Sequence, residues 1–403
     1  MSSFKQFSKL LTNLACLPIY LAASLLPRSE KIWVFGAWQG KSFSDNPKQL
    51  YLYVRDNNKN IEPVWIAKTK KLSITLREKG INAYYHTSPS GIYYQLRAGA
   101  AFFTHHQNTE FLSFLFSRNT RLFQLWHGTP LKKIQLDIPE HQLNNASRTK
   151  KILAFIFPWR RNSWDFVVSP SSFVSGFLGT AFAGNKIVIT GYPRNDKISI
   201  GEICSRPKNV NKIIYMPTFR GISSSRESND AINQLLRHSG FNVEILDDFL
   251  KKRNSTLTLR LHPSNTLDNK YIEEISKCAH IEISTSGEDI YDVISKYDVL
   301  ITDYSSIFFD FMLSGKPIIH AGFDLNEYLL ESRALYQSYD SVCLTPEIRS
   351  WADIMRFIGQ ISSTGLSNEY IERYRLIANK HNDFQDNGAS GRVTREAIKA
   401  LKK

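Results

Sequence analysis

The stretch "DVLITDYSSIFFDFMLSGKPIIH" at residues 298–320 decides the fold. Its first part, 298–303, is a run of branched apolar residues that ends in an aspartate, which is typical of a buried strand. Ser305 or Ser306 is suited to cap a following helix, and Gly315 is suited to end it before the next apolar run. A strand, a helix and a second strand in this order predict one βαβ unit of a parallel sheet.

The same alternation extends over most of the chain. The runs that predict strands are 31–37, 62–67, 100–105, 121–126, 165–170, 186–191, 212–217, 256–262, 280–285, 298–303 and 317–322. Longer amphipathic segments separate them, and a polar stretch near 196–210 divides them into two series. We therefore predict an α/β protein of two doubly wound Rossmann-type domains facing a cleft, over 31–200 and 201–403, with the last helix able to pack back on the N-terminal domain.

The first thirty residues, 1–30, form a separate segment. Eighteen uncharged residues lie between Lys9 and Arg28, at the lower limit for a helix that spans a bilayer, and Pro18 interrupts them. We predict a membrane-associating helix that lies in the cytoplasmic leaflet and is held partly by basic residues. A buried first helix and a secretory signal are the alternatives that the sequence leaves open.

The charge balance limits the partners. The chain has 51 Lys and Arg against 37 Asp and Glu, and its net charge of +14 attracts polyanions. It contains no zinc-finger spacing and no RNA-binding aromatic motif, so anionic lipid and a phosphorylated substrate are favoured over nucleic acid. The four cysteines lie far apart without a CxxC pair, which favours reduced thiols and the cytosol.

Five polar clusters share one position, directly after a predicted strand. Because ligands bind at the carboxyl ends of the strands in doubly wound sheets, we expect the clusters to converge. They are Trp126, His127, Gly128 and Thr129; Gly191, Tyr192, Pro193 and Arg194; Pro217, Thr218, Phe219 and Arg220; Arg260, Leu261 and His262; and Asp303, Tyr304, Ser305 and Ser306.

The cluster after 298–303 predicts a phosphate site. A helix N-terminus offers free N–H groups and a positive dipole end, and two serine hydroxyls add donors. Arg220 and Arg260 supply fixed positive charge, and Asp310, four residues after Ser306, could hold a ligand hydroxyl or orient an arginine. The ordinary alternatives are serines that only cap a helix, a polar helix residue, and arginines in surface salt bridges.

His127 differs from the other clusters in its surroundings. Gly128 lets the backbone approach closely, and Thr129 can cap whatever follows. An imidazole titrates near neutrality, so it can take a proton from a hydroxyl at working pH. We interpret His127 as a general base, the alternative being a structural histidine at a strand end.

Several common cofactor motifs are absent from the sequence. Neither G-x-G-x-x-G nor G-x-x-x-x-G-K-[ST] occurs, which argues against dinucleotide and P-loop sites. No D-x-D occurs either, which weakens the case for a metal-dependent sugar-nucleotide site. We therefore predict no metal and no cofactor.

Six motifs together resemble one family. "LWHGTPLKK", "GYPRND", "YMPTFR", "LRLHP", "LITDYSSIFFDFMLSGKPIIH" and "FQDNGASGRV" occur in the order found in the CDP-glycerol glycerophosphotransferases, the primases and polymerases of teichoic acids and related capsule polymers. The resemblance spans roughly 120–395. It implies a GT-B-like fold, peripheral attachment to the cytoplasmic face of the cell membrane, and no cofactor. It also implies transfer of a polyol phosphate from CDP-glycerol or CDP-ribitol to a lipid-linked or oligomeric acceptor, with release of CMP.

The resemblance also assigns roles to residues. It implies that His127 is the general base and that His262 stabilises charge on the phosphate. The donor and phosphate site is expected to comprise Trp126, Gly128, Thr129, Arg194, Thr218, Arg220, Arg260, Ser305, Ser306 and Asp310.

Two other functions remain open at this point. A GT-B glycosyltransferase that uses a nucleotide sugar would share the fold and the diphosphate pocket, but it would release a nucleoside diphosphate instead of CMP. A membrane-bound protein that binds polyanions would need only the basic charge.

Overall fold

The structure, a computed structural model, describes residues 3–116, 119–138, 155–161, 164–183, 185–207, 210–219, 225–262, 265–284, 287–331 and 334–402. The chain divides into two units. Unit 1 comprises Met1–His127, Gln135–Asp196 and Asp386–Lys403, and unit 2 comprises Gly128–Ile134 and Lys197–Gln385. The short segment that follows His127 therefore belongs to unit 2, although it interrupts the sequence of unit 1.

The strands, in chain order, are β1 (Ser29–Phe35), β2 (Glu62–Ala67), β3 (Ala83–Tyr85), β4 (Ala98–Phe103), β5 (Arg121–Gln124), β6 (Phe166–Ser169), β7 (Lys186–Ile189), β8 (Lys212–Met216), β9 (Thr256–Leu259), β10 (Ile281–Ile283), β11 (Val299–Thr302) and β12 (Ile318–His320). The helices are α1 (Ser3–Leu25), α2 (Asp45–Asn57), α3 (Lys70–Glu78), α4 (Pro89–Arg97), α5 (Gln107–Glu110), α6 (Ser172–Ala181), α7 (Ser225–His238), α8 (Val243–Lys251), α9 (Asn269–Ser276), α10 (Ile290–Val293), α11 (Ile307–Phe311), α12 (Leu325–Glu331), α13 (Trp351–Ser363), α14 (Asn368–His381) and α15 (Ala389–Leu401).

Unit 1 is built on a parallel sheet in the order β3-β2-β1-β4-β5-β6-β7, so the order of the strands reverses between β1 and β4. A ladder of stacked rings crosses its middle. Phe35 stacks on Phe102 at 4.9 Å, Phe102 on Phe123 at 5.0 Å, and Phe123 on Phe166 at 4.6 Å between ring centroids. Because these residues pair in register on neighbouring strands, their packing fixes which face of each strand is buried.

Unit 2 is built on a parallel sheet in the order β10-β9-β8-β11-β12, and its order reverses between β8 and β11. Tyr215 of β8 packs edge-on against Trp351 at 5.2 Å, and Phe241 packs against the same indole at 4.9 Å. The core around them is formed by β-branched strand residues and the apolar faces of α8, α13 and α14. In both sheets the reversal creates a crevice at the carboxyl ends of two neighbouring strands.

The sequence prediction of the strands is confirmed for all eleven runs, with ends that differ by at most three residues. β3 is the strand that the sequence did not predict, because its three residues, Ala83–Tyr85, are too few to show an alternating pattern. The helix predicted to run from Ser305 or Ser306 to Ser314 is instead the five-residue α11, followed by a 3₁₀ turn over Met312–Ser314.

The last helix, α15, lies in unit 1. Val393, Ala397 and Ala400 are buried in the core of unit 1, and Asp196 accepts the N–H groups of Ala389 at 2.9 Å and Ser390 at 2.8 Å. A carboxylate at a helix N-terminus satisfies free N–H groups and opposes the positive end of the dipole. The helix that ends the chain is therefore fixed to the sheet of the first half.

The first helix, α1, contains Pro18 and packs on unit 1 through one face. Tyr20 contacts Trp159 with 5.0 Å between ring centroids, and Arg28 donates to the carbonyls of Ala23 and Leu115, both at 3.1 Å. Within the described part of the chain, no helix has the length and apolar character needed to cross a bilayer.

Gly315 provides a test of this packing. It follows α11 with φ of 64°, and a Cβ there would lie 2.5 Å from the carbonyl carbon of Glu202. We expect Gly315→Ala to cost about 1–2 kcal/mol for the left-handed backbone and about 1–3 kcal/mol more for the clash. Gly240→Ala is the matched control, because Gly240 has φ of 74° and open space around the same position. Urea unfolding of both variants should show a clearly lower midpoint for Gly315→Ala, and equal midpoints would contradict the packing described.

Candidate active site

Three ring side chains of unit 1 meet where its strand order reverses. Trp38 follows β1, His105 follows β4 and His127 follows β5. The rings of His105 and His127 are stacked with centroids 4.5 Å apart and planes 13° apart. The indole of Trp38 lies 5.2 Å from the first imidazole and 6.0 Å from the second.

The imidazole of His127 is oriented by the main chain. Its Nδ1 lies 3.2 Å from the carbonyl oxygen of Thr104. A carbonyl oxygen only accepts hydrogen bonds, so Nδ1 carries a proton, and in the neutral ring the lone pair is on Nε2. This is the tautomer that a general base requires at Nε2.

The loop that carries His127 is held by two buried amides. The side chain of Gln124 donates to the carbonyl of His105 at 2.6 Å and accepts the N–H of Trp126 at 2.9 Å. Asn46 donates to the carbonyls of Leu125 at 3.2 Å and Trp126 at 3.0 Å. Because these amides are fully buried, breaking either pair would leave unpaired polar groups inside the unit.

The backbone next to His127 is strained. Trp126 has φ of 55°, which is uncommon for a residue with a side chain, and Gly128 has φ of 146°. The side chains of Trp126 and Thr129 are buried. They are therefore placed to shape the turn, and the glycine allows a conformation that other residues rarely adopt.

Arg194 has a partner that the sequence did not indicate. Its Nη1 donates to Asp45 Oδ1 at 3.1 Å, and the two side chains are each 4% exposed. Its backbone N–H donates to the side-chain oxygen of Asn46 at 3.1 Å. Arg194 therefore forms a buried ion pair within unit 1, whose disruption would leave an uncompensated charge. Its contact with the donor phosphate stays a prediction.

In unit 2 the two strands at the reversal are joined by one carboxylate. Asp303 follows β11, and its Oδ1 accepts the N–H of Thr218 at 2.8 Å and the Thr218 hydroxyl at 2.5 Å. The same oxygen accepts the N–H of Tyr304 at 2.6 Å. Asp303 is fully buried, so it fixes the positions of the chain after β8 and after β11 relative to one another.

The end of β9 adds two candidate groups beside Thr218. Arg260 is half-buried and donates through Nη2 to the carbonyl of Glu288. His262 is reached by solvent, and its ring packs against Phe219 with 4.8 Å between centroids. Partial burial lowers the pKa of His262 from its ordinary value, which favours a neutral ring with one N–H at neutral pH.

The serines after β11 differ from the expected caps. Ser305 and Ser306 are both half-buried, and Ser306 occupies the N-cap position of α11. Its side chain makes no cap bond, because its φ of −65° and ψ of −9° are helical whereas a capping side chain needs an extended backbone. The hydroxyl therefore does not satisfy the first turn of α11.

Asp310 lies on the buried face of α11. It is 0% exposed, and its Oδ2 accepts the hydroxyl of Tyr291 at 2.7 Å. This bond ties α11 to α10. The contact of Asp310 with a ligand hydroxyl stays a prediction. Arg220, the remaining predicted phosphate ligand, lies outside the described residues.

Among the residues that the structure describes, no group of three or more histidine, cysteine, aspartate and glutamate side chains is arranged to hold a metal ion. The polar groups at the two reversals are hydroxyls, imidazoles, a guanidinium and single buried carboxylates. The sequence reasoning missed Trp38 and Thr104 as parts of these sites, and it placed Asp303 in a strand-end cluster without giving it a role. The available signal was the position of each directly after a strand, which the sequence showed for Asp303.

A family model for CDP-glycerol:poly(glycerophosphate) glycerophosphotransferases matches residues 19–399. The chain belongs to this family. As a member it is a glycerophosphotransferase, and the alternative of a nonenzymatic polyanion-binding protein is excluded.

The relatives of this glycerophosphotransferase are named as teichoic acid transferases and polymerases. It is 30% identical to the teichoic acid glycerol-phosphate transferase of Staphylococcus aureus, over 93% of this chain and 95% of the relative. It is 27% identical to the teichoic acid poly(glycerol phosphate) polymerase of Bacillus subtilis, over 86% of this chain and 46% of the relative. The solved structure of the wall teichoic acid polymerase TagF matches with a TM-score of 0.71 at 20% identity, over 100% of this chain and 99% of that one. That likeness confirms the α/β fold with parallel sheets.

The carboxylate at the reversal of unit 2 gives a prediction for this glycerophosphotransferase. Asp303→Asn weakens three hydrogen bonds that position Thr218 and Tyr304. We expect KM for CDP-glycerol to rise by roughly fivefold, equivalent to about 1 kcal/mol, together with a lower melting temperature.

Asp298→Asn is the matched control. Asp298 accepts the N–H groups of Asn211 and Lys212 at the opposite end of β8, at 3.1 and 3.0 Å. It should lower the melting temperature and leave KM unchanged. An equal rise in KM for both variants, from initial rates at varied donor concentration, would contradict a donor site at the carboxyl ends of the strands.

Proposed function

We propose that this glycerophosphotransferase uses CDP-glycerol, or its ribitol analogue, to extend a lipid-linked or oligomeric acceptor, with His127 as the general base. The observation that carries this assignment is the bond from His127 Nδ1 to the carbonyl of Thr104. It leaves the lone pair on Nε2, where an acceptor hydroxyl can deliver its proton.

The proposed reaction is an in-line displacement at phosphorus. The acceptor oxygen bonds to the phosphorus atom that bears the polyol, the bond from this phosphorus to the oxygen bridging the diphosphate breaks, and CMP leaves with that electron pair. His127 Nε2 takes the proton of the acceptor hydroxyl as the new bond forms. Because negative charge is spread over the phosphoryl oxygens during the transfer, fixed donors and cations near them lower the barrier.

The proposed donor site is the crevice between β8 and β11. Ser305 and Ser306 offer hydroxyls there, Arg260 offers a guanidinium and His262 a neutral N–H donor. The Thr218 hydroxyl donates its proton to Asp303, so Thr218 is proposed to contribute by fixing the chain after β8. Arg220 is retained in this proposal from its place in the "YMPTFR" motif. Arg194 and Asp310 are proposed to act indirectly, because their side chains are committed to Asp45 and Tyr291, and Trp126, Gly128 and Thr129 are proposed to shape the turn at the base.

The polyol of the donor is a separate part of the proposal, and the relatives include enzymes named for glycerol phosphate and enzymes named for ribitol phosphate. The chain is 26% identical over 70% of its length to the teichoic acid ribitol-phosphate polymerase TarL of Staphylococcus aureus. The greater identity and coverage of the glycerol-phosphate transferase favour glycerol. The nucleotide-sugar alternative is disfavoured by the family membership of the chain.

His127→Ala tests the proposed base. We expect kcat to fall by about 10²–10⁴-fold, the range for loss of a general base, while equilibrium binding of CDP-glycerol is retained. Release of CMP is followed with a defined lipid-linked acceptor, using CDP-glycerol and CDP-ribitol in separate reactions. His86→Ala, at the carboxyl end of β3 in the same sheet, is the control and should keep normal turnover. Near-normal turnover of His127→Ala would refute the assignment, and release of CDP would refute the reaction.

Attachment to the cytoplasmic face of the cell membrane is proposed for α1. Its outer face carries Leu11, Leu14, Leu21 and Leu25, which are 52%, 48%, 57% and 87% exposed. At 100° per residue these four positions fall on one side of the helix, opposite the contacts of Tyr20 and Ala23 with unit 1. An apolar stripe opposite the buried side chains of Asn13 and Ala23 suits insertion into the lipid interface, and a net charge of +14 favours anionic lipid.

Placing negative charge in this apolar stripe tests the attachment. We expect Leu14→Glu with Leu21→Glu to lower partitioning onto phosphatidylglycerol-containing vesicles by at least about tenfold, since each buried leucine contributes about 1.5–3 kcal/mol. Leu376→Glu, at a 69% exposed leucine of α14, is the control. Vesicle co-sedimentation measures binding, and turnover with a soluble acceptor should be the same in all three proteins. Unchanged partitioning of the double variant would contradict attachment through α1.

A further inference from the structure

We propose that His105 is a positioning residue for the base: a chain of hydrogen bonds from Glu110 through Thr104 fixes the imidazole of His105, and this ring supports the stacked ring of His127. The inference rests on the proposed role of His127. It adds a residue that belongs to none of the motifs shared with the family and that lies on the neighbouring strand end.

The hydroxyl of Thr104 connects the members of the chain. Its Oγ1 donates to Glu110 Oε1 at 2.9 Å, because a carboxylate only accepts. The same oxygen accepts the N–H of Trp38 at 3.2 Å and faces Nδ1 of His105 at 2.9 Å. With its one proton already donated, the hydroxyl must accept from His105 as well, so Nδ1 of His105 carries a proton. One threonine therefore orients both imidazoles, through its hydroxyl for His105 and its carbonyl for His127.

Glu110 anchors this arrangement from inside unit 1. Its carboxylate is 0% exposed and also accepts the N–H groups of Thr104 at 3.2 Å and His105 at 3.1 Å. His105 Nδ1 lies 3.5 Å from Oε1. Burial raises the pKa of Glu110, and its bonds with His105 and Thr104 oppose that rise. The described hydrogen bonds of this buried carboxylate thus come from Thr104 and His105, and they offset part of the cost of its burial.

Two other ionisable groups lie close to this chain. Lys68 donates to the carbonyl of Phe111 at 3.3 Å, and the charge of Glu110 partly offsets the lowering of its pKa by burial. Burial and the neighbouring His105 lower the pKa of His106. Neither group has a hydrogen bond to the carboxylate of Glu110, which instead accepts from Thr104 and His105.

The stacked geometry gives His105 its effect on the base. The bond to Thr104 restrains one edge of the His127 ring, but rotation about that edge would still turn Nε2 away from its direction. A flat, fixed ring at 4.5 Å and 13° blocks this rotation on one face. Because a displacement of a catalytic group by about 1 Å can cost roughly 100-fold in rate, loss of this support should lower kcat.

Steady-state kinetics of a double-mutant cycle tests the inference in the full-length protein. We expect His105→Ala to lower kcat by roughly 10–50-fold with KM for CDP-glycerol changed less than about twofold, as for a group that acts only in the transfer step. His105→Phe, which keeps a flat ring, should recover kcat to within about threefold of the unsubstituted protein. In the His127→Ala background, His105→Ala should have no further effect, because His105 acts through the base.

The outcomes separate this inference from the proposed base. Normal turnover of His127→Ala would overturn both. A strong defect in His127→Ala with normal turnover of His105→Ala would overturn the inference alone. Equal losses from His105→Ala in both backgrounds, or a His105→Phe variant no more active than His105→Ala, would also overturn it. If the residual rate of His127→Ala is too low to measure, the comparison of His105→Phe with His105→Ala tests the inference.

Discussion

Both sheets depend on the same interaction, a buried carboxylate that bonds to a threonine where the strand order reverses. At a reversal, the chain leaves two neighbouring strands in opposite directions, and N–H groups at their ends lose their ladder partners. Glu110 accepts from Thr104 and His105 in unit 1, and Asp303 accepts from Thr218 and Tyr304 in unit 2. Each carboxylate is fully buried, so each crevice is rigid before any ligand is bound.

Rigidity of this kind suits phosphoryl transfer. Little covalent chemistry is required of the protein, and most of the catalysis comes from orientation and from charge placed in advance. The oriented tautomer of His127 and the hydroxyls, imidazole and guanidinium after β8, β9 and β11 are groups of this type. Backbone carbonyls fix His127 and Arg260, and Asp303 fixes Thr218, so in the proposed reaction these groups need no reorganisation.

Much of the fold could be predicted from the sequence, because a buried parallel strand is a continuous apolar run. Eleven strands carried this signal, whereas the three residues of β3 did not. The sequence also predicted which polar residues directly follow a strand, because strand ends and turn residues are local features. Examples are His127, Thr218, Arg260 and His262. The cap by Ser306 was wrong, because capping depends on backbone angles that a serine alone does not determine.

The sequence by itself determined the two α/β series, the family motifs and the residue types that can move a proton or meet a phosphate. Tertiary structure decided which partners those residues have within each unit. From the sequence, Arg194 and Asp310 were expected to contact the ligand. In the structure, Arg194 pairs with Asp45, 149 positions away in the sequence, and Asp310 bonds to Tyr291 of the preceding helix. The tertiary structure also stacks the ring of His105, at the end of β4, on the ring of His127, at the end of β5. Strand order brings such partners together, and the strength of a buried charge or ring contact depends on neighbours that are distant along the chain.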